Sequence, residues 1–161
     1  MSKPQKKKNS EQDYDCLKLD RQLCFPLYAC SKEIIRRYRP FLDRLDLTYT
    51  QYITMMVLWE QREANVRELG ERLYLDSGTL TPMLKKLESK GYLVRKRCES
   101  DQREVMISIT EEGDALKKEA LRIPEEMASC VCLTKEEAET LYGLLYKILN
   151  NREGQKTESK E

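Results

Sequence analysis

Asp76-Ser77-Gly78-Thr79-Leu80-Thr81-Pro82-Met83-Leu84-Lys85-Lys86-Leu87-Glu88-Ser89-Lys90-Gly91 is the stretch whose reading decides the fold. Asp76 or Ser77 can cap a helix by accepting from a free backbone N–H. Gly91 can take the left-handed conformation that closes one. Between them, Leu80, Met83, Leu84 and Leu87 recur at helical spacing and predict a buried face. The other face carries Ser77, Thr79, Thr81, Lys85 and Lys86. Short hydroxyls near a helix start, followed by lysines, suit insertion into a DNA groove: hydroxyls reach base edges or phosphates, and lysines neutralise phosphates. An ordinary solvated amphipathic helix has the same pattern, so the flanking sequence has to separate the two readings.

Upstream, Asn65-Val66-Arg67-Glu68 has capping-box spacing and predicts a short helix to Tyr74. A tight turn at Leu75-Asp76 then joins two short helices into a helix-turn-helix. Downstream, Tyr92 to Arg97 and Glu104 to Ile109 read as strands. Val105, Ile107 and Ile109 alternate there with Met106 and Ser108. The connection Cys98-Glu99-Ser100-Asp101-Gln102-Arg103 is polar and lacks an Asn-Gly turn, which makes it a longer hairpin loop. A helix-turn-helix followed by a charged hairpin is a winged helix. Thr48-Tyr49-Thr50-Gln51 repeats the capping spacing and opens a helix to about Arg62, with Tyr52, Met55, Met56 and Trp59 as its expected buried face.

The ends are helical by the same criteria. Leu17 to about Tyr38 reads as one helix, with Leu19, Leu23, Leu27, Cys30 and Ile34 on a face. Pro26 either kinks it or sits in the first turn of a helix that begins near Cys24. Pro40 is expected to end it. Thr110 caps a helix whose first turn holds Glu111, Glu112 and Asp114, and Pro124 interrupts or bends it. Thr134-Lys135-Glu136-Glu137 is a further capping box, opening a helix with Leu141, Leu144, Leu145, Ile148 and Leu149 on one face. The expected layout is therefore a basic disordered tail (1–13), an N-terminal sensor and dimerisation helix region (14–47), and a winged helix-turn-helix (48–110). C-terminal dimerisation helices (111–150) and a polar tail (151–161) follow. The fold class is mainly α with a small β-hairpin wing. The end helices carry more apolar surface than a small winged-helix core needs. They pack on one another within one chain, or they form a homodimer interface; helix-turn-helix proteins pair so that two recognition helices meet successive major grooves.

Net charge over the 161 residues is only +1, but its distribution is uneven. Residues 77–103 hold seven Lys/Arg and three acids, a local +4, whereas residues 111–161 hold twelve acids and eight bases, a local −4. A basic middle against an acidic remainder fits a contact with double-stranded DNA. No stretch approaches the roughly 18 apolar residues of a membrane span, so no membrane role is expected. No apolar signal core opens the chain, and a cytoplasmic protein is expected. Its six cysteines are then expected to be mostly reduced thiols. There is no histidine, the commonest general base and metal ligand, and the cysteine spacing does not make a zinc site. No metal, cofactor or catalytic residue is expected.

Leu23-Cys24-Phe25-Pro26-Leu27-Tyr28 is the second informative stretch. A thiol in apolar surroundings is usually inert, with its pKa raised. Helix N-terminal N–H groups or phenol donors could instead stabilise a thiolate. Tyr28, Tyr38 and Tyr49 lie in or near the same region, and nine tyrosines against two phenylalanines point to phenols kept for hydrogen bonding.

Taken together, five motifs resemble the organic-hydroperoxide repressors of the MarR type. They are Leu23 to Tyr28, Tyr38 with Pro40, Leu47-Thr48-Tyr49-x-Gln51-Tyr52, Tyr74 to Pro82, and Asp101-x-Arg103, and the resemblance spans about residues 14 to 150. It implies a dimeric winged-helix repressor whose essential cysteine is oxidised by organic hydroperoxide. That cysteine matches Cys24. Its phenol partners match Tyr38 and Tyr49, with Tyr28 lining the pocket. The recognition helix places Ser77, Thr79, Thr81, Pro82, Lys85 and Lys86 at DNA. Arg103 matches the wing arginine of the minor groove, oriented by Asp101. Some members cap the oxidised cysteine with a small thiol; others use a late cysteine of the other subunit, for which Cys130 is the candidate and Cys132 its rival. Pro26 departs from the small or aliphatic residue usual after the Cys-Phe pair. Two other functions share these features: a MarR-like repressor that binds a phenolic ligand in the same cleft, and a thiol peroxidase using Cys24. The peroxidase reading leaves the basic winged helix without a purpose.

Overall fold

The computed structural model describes residues 14–97 and 104–157, with side chains up to residue 151. The tail 1–13, the wing loop 98–103 and residues 158–161 lie outside the described residues. The chain divides into two units, Met1–Ala120 and Leu121–Glu161. The helix that follows Thr110 falls in the first of these units.

The first unit opens with two short 3-10 turns, Asp15–Leu17 and Leu19–Arg21, and then helix α1, Cys24–Leu42. Pro26 falls in the first turn of α1, where a missing N–H costs nothing. Pro40 does not end the helix, as expected from sequence; it lies inside it. The proline removes one hydrogen bond close to the helix end. Leu42 and Leu45, both almost fully buried, hold the chain in place beyond it, and a 3-10 turn Asp43–Leu45 continues the path. Asp46 reverses the chain in the left-handed conformation, φ 52°.

Helix α2, Tyr49–Gln61, starts on the predicted capping box: Thr48 accepts from the Gln51 N–H while the Gln51 side chain accepts from the Thr48 N–H. Its buried residues include Tyr52, Met55, Leu58 and Trp59, but Met56 is exposed. The Trp59 indole N–H donates to the carbonyl of Gly113 at 2.9 Å. Strand β1, Glu63–Asn65, precedes helix α3, Val66–Leu73, whose Asn65–Glu68 capping box is also formed. Helix α4, Ser77–Ser89, follows, then β2, Leu93–Arg97, β3, Val105–Ile109, and helix α5, Glu111–Ala120.

The strands form one antiparallel sheet in the order β1-β3-β2. The predicted hairpin is its larger part, with Leu93 opposite Ile109 and Arg95 opposite Ile107. β1 adds a third strand that sequence reading absorbed into the loop after α2; three residues are too short to show a period. Ile107 is fully enclosed at the centre, between Ala64 and Arg95. The second unit contains α6, Ile123–Ala128, with Pro124 at its start, and α7, Lys135–Thr157, opened by the Thr134–Glu137 capping box. α7 runs on into the segment expected to be a polar tail.

Candidate functional site

The helix-turn-helix is built by α3 and α4. Tyr74, at φ 55°, takes the left-handed turn between them, and the Leu75 N–H donates to the Gly70 carbonyl at 2.9 Å. A side chain at residue 70 would put its Cβ 2.8 Å from the Leu75 carbonyl oxygen, so only glycine lets the turn close. Asp76, not Ser77, is the cap of α4, accepting from the Thr79 N–H at 2.9 Å. The hydrogen bond from the Thr79 hydroxyl, and after it the one from the Thr79 N–H, hold the Asp76 carboxyl below its usual pKa. At the other end, Gly91 stands at φ 78°. The N–H of Gly91 donates to the Glu88 carbonyl and that of Tyr92 to the Leu87 carbonyl, the paired closure of a Schellman motif.

Leu80, Met83, Leu84 and Leu87 are buried, whereas Ser77, Thr79, Thr81, Pro82, Lys85 and Lys86 are all exposed on the opposite side. The face is therefore a solvent-facing strip of one rigid helix. Its hydroxyls are not all available as donors. Thr79 Oγ1 donates to Asp76 Oδ2 at 2.8 Å, and Thr81 Oγ1 donates to the Ser77 carbonyl at 2.7 Å. Both retain an accepting oxygen.

Two of the cations counted in the basic segment turn inward. Arg95 is held by Glu88: Oε2 accepts from Nε and lies 2.8 Å from Nη2, and Oε1 accepts from the Arg95 backbone N–H. Lys90 is held by Asp46. Lys85, Lys86, Lys96 and Arg97 are exposed. Asp101 and Arg103 lie outside the described residues.

Cys24 is the first residue of α1 and is exposed. The helix start supplies it with few donors: the Phe25 N–H is committed to the Gln22 carbonyl, and Pro26 has none. Phenols are left as the other source. Tyr28 stands one turn along on the same face, with its oxygen accepting from Lys32 Nζ at 3.3 Å. Tyr38 is elsewhere. Fourteen residues of continuous helix place it about 21 Å along α1 from Cys24. It pairs instead with Tyr49, ring centroids 5.0 Å apart, and with Tyr52 at 6.0 Å. Tyr52 in turn meets Trp59 edge-on at 6.1 Å. Within one protomer, then, Cys24 is not joined to Tyr38 and Tyr49. Burial, first of all causes, raises the pKa of Tyr38, Tyr49 and Tyr52. Each keeps its phenolic proton at neutral pH and remains a donor.

Tyr52 is a member of this cluster that sequence reading placed only in the core; its signal was the choice of tyrosine over phenylalanine at a buried position. The late cysteines lie in the second unit. Cys130, half-buried after α6, donates its thiol to the Glu126 carbonyl at 3.4 Å, while Cys132 is exposed. Cys16 and Cys30, like Cys24, are exposed. No described helix is long and apolar enough to cross a membrane.

A family model described as transcriptional regulator SarA/Rot matches residues 36–120, the span from mid-α1 through the winged helix. The chain is 47% identical to the organic hydroperoxide resistance transcriptional regulator of Bacillus subtilis, over 86% of this chain and 95% of that protein. Among solved structures, reduced AbfR bound to DNA superposes with a TM-score of 0.71 at 31% identity, covering 87% of this chain and 98% of that one. Disulfide-formed AbfR superposes at 0.59 and 32% identity, covering 84% and 95%; AbfR is a Staphylococcus epidermidis protein. The winged helix and its exposed α4 define a transcriptional regulator of the MarR type. The chain belongs to that family, in the branch of the organic hydroperoxide resistance regulators.

Proposed function

We propose that this protein is a cytoplasmic, homodimeric DNA-binding repressor that leaves its operator when an organic hydroperoxide oxidises Cys24. The observation that carries the reading is the exposed polar strip of α4 opposite a fully buried apolar face, in a chain that also exposes a thiol at the start of α1. The likeness to DNA-bound AbfR supports the DNA half. In the reduced dimer, Ser77, Thr79, Thr81, Pro82, Lys85 and Lys86 enter the major groove, and Arg103, oriented by Asp101, reaches the minor groove.

The separation along α1 bears on the sensor. Tyr38 and Tyr49 donate to the Cys24 thiolate of a second copy, with Tyr28 closing the pocket. The thiolate sulfur attacks the terminal peroxide oxygen. An S–O bond forms as the O–O bond breaks, and the alcohol leaves with a proton. The resulting sulfenic acid condenses with a second thiol, giving a disulfide and water. Cys130 of the other subunit is that thiol, with Cys132 its rival; disulfide-formed AbfR supports a disulfide end state.

The test is direct. A duplex is selected from a random-sequence pool by the reduced protein and then challenged with cumene hydroperoxide. Wild type is expected to release it, and Cys24→Ser to bind it equally and stay bound, because a serine hydroxyl is not a nucleophile at neutral pH. Release by the serine variant would refute the sensor. A covalent dimer on non-reducing gels that persists in Cys130→Ser and vanishes in Cys132→Ser would move the resolving role to Cys132.

A further inference from the structure

We infer that Asp46 and Lys90 form a positioning contact, fixing the recognition helix to the turn that ends α1, and that Lys90 does not serve as a phosphate contact. The inference rests on the DNA-binding reading above. Lys90 is the C-terminal cap of α4. By sequence it belongs with Lys85 and Lys86 in the basic segment. Its ammonium is nevertheless engaged within the chain: Nζ lies 2.9 Å from Asp46 Oδ2 and also donates to the Asp46 carbonyl. The lysine side chain is 25% exposed and that of Asp46 77%, whereas Lys85 and Lys86 belong to the exposed strip. A cation so enclosed, with two oxygens as partners, is not presented to a phosphate.

The partner is placed with equal economy. Asp46 stands at φ 52° and ψ 43°, capping the 3-10 turn Asp43–Leu45 that continues α1. In that left-handed conformation its carbonyl and carboxylate both face the lysine. Leu45 and Leu47 on either side are buried, so the turn is a fixed anchor. One residue from Lys90's own helix, Glu88, holds Arg95 of β2. The last turn of α4 is thereby tied on one side to the segment that carries Tyr38 and on the other to the wing strand.

Equilibrium binding to the selected duplex, measured across salt concentrations on reduced full-length protein, tests this. Lys90→Met keeps the length of the stem and removes the charge. Asp46→Asn keeps a residue that tolerates the left-handed turn. Each is expected to weaken binding about two- to fivefold, the range of a partly exposed ion pair, with Asp46→Asn the milder because the carbonyl still accepts. The salt slope stays at the wild-type value. The double variant binds no more weakly than Lys90→Met alone, and Lys90→Arg restores part of the loss. Thermal melting shows that each variant is folded at the assay temperature. A salt slope lowered by about one in Lys90→Met, with Asp46→Asn unchanged, would make Lys90 a phosphate contact and overturn the inference. So would wild-type affinity in both variants. If wild type itself selects no duplex, it is the DNA-binding reading that fails.

Discussion

Between Tyr49 and Thr110 the chain encloses most of its large apolar side chains; along α7 and the first half of α1 many stay open. Met55, Leu58, Leu69, Leu87 and Ile107 are completely shielded in the winged helix. On α7, Leu141, Leu144 and Ile148 stand 43%, 55% and 50% exposed, and on α1 Phe25, Ile34 and Ile35 are similarly open. Leu17, Leu19 and Leu23 ahead of them are more open still. Both regions have apolar residues at helical spacing. Periodicity reports that a helix has a face, and only the structure says whether the same chain covers it. The middle covers its own apolar face, whereas the faces of α7 and of the start of α1 are open in the single chain.

The contrast is broken most severely in the core. Leu84→Ala is expected to cost about 2–5 kcal/mol of unfolding free energy, the range for a buried leucine that leaves a cavity. Leu144→Ala, measured by urea unfolding at a dilution that favours single chains, is expected within about 0.5 kcal/mol of wild type. Equal costs would mean that α7 is as self-covered as α4.

The next effect is on association. Ile148→Lys puts a charge on the open face of α7 and is expected to weaken the proposed dimer roughly tenfold or more, the worth of an apolar side chain at an interface. Sedimentation at micromolar concentration reads this, with circular dichroism unchanged. An unaltered dimer would place the interface elsewhere.

The smallest effect falls on the strip that is exposed by design. Lys85→Ala leaves folding intact and is expected to lower the slope of log affinity against log salt by about one, because one fewer phosphate is neutralised. An unchanged slope would remove Lys85 from the groove.

Much of this architecture is legible in the residues. Three capping boxes, at Thr48, Asn65 and Thr134, and the closing Gly91 mark helix ends through local hydrogen bonds that need no tertiary partner. The leucines of α4 fixed its buried face for the same reason. What sequence missed is long-range. Pro40 stays helical because Leu42 and Leu45 are buried beyond it, a tertiary effect that overrides a local one. β1 exists only by pairing with β3. Charge counting treated Lys90 and Arg95 like Lys85, whereas Asp46, 44 residues away, and Glu88 hold them inward. The phenols expected beside Cys24 include Tyr38, which the continuous helix places about 21 Å along α1 from it.

The length of α1 has a consequence for dosage under the proposed function. Cys24 and Tyr38, almost four helical turns apart on that helix, do not meet in a lone chain. In the proposed assembly the oxidation rate per thiol therefore rises with the fraction of paired chains. On that proposal, a cell that made little of this regulator would hold it partly unpaired, off its operator and slow to react with peroxide. Abundance then sets how much oxidant is registered, and dilution alone changes the dose response without any change in sequence.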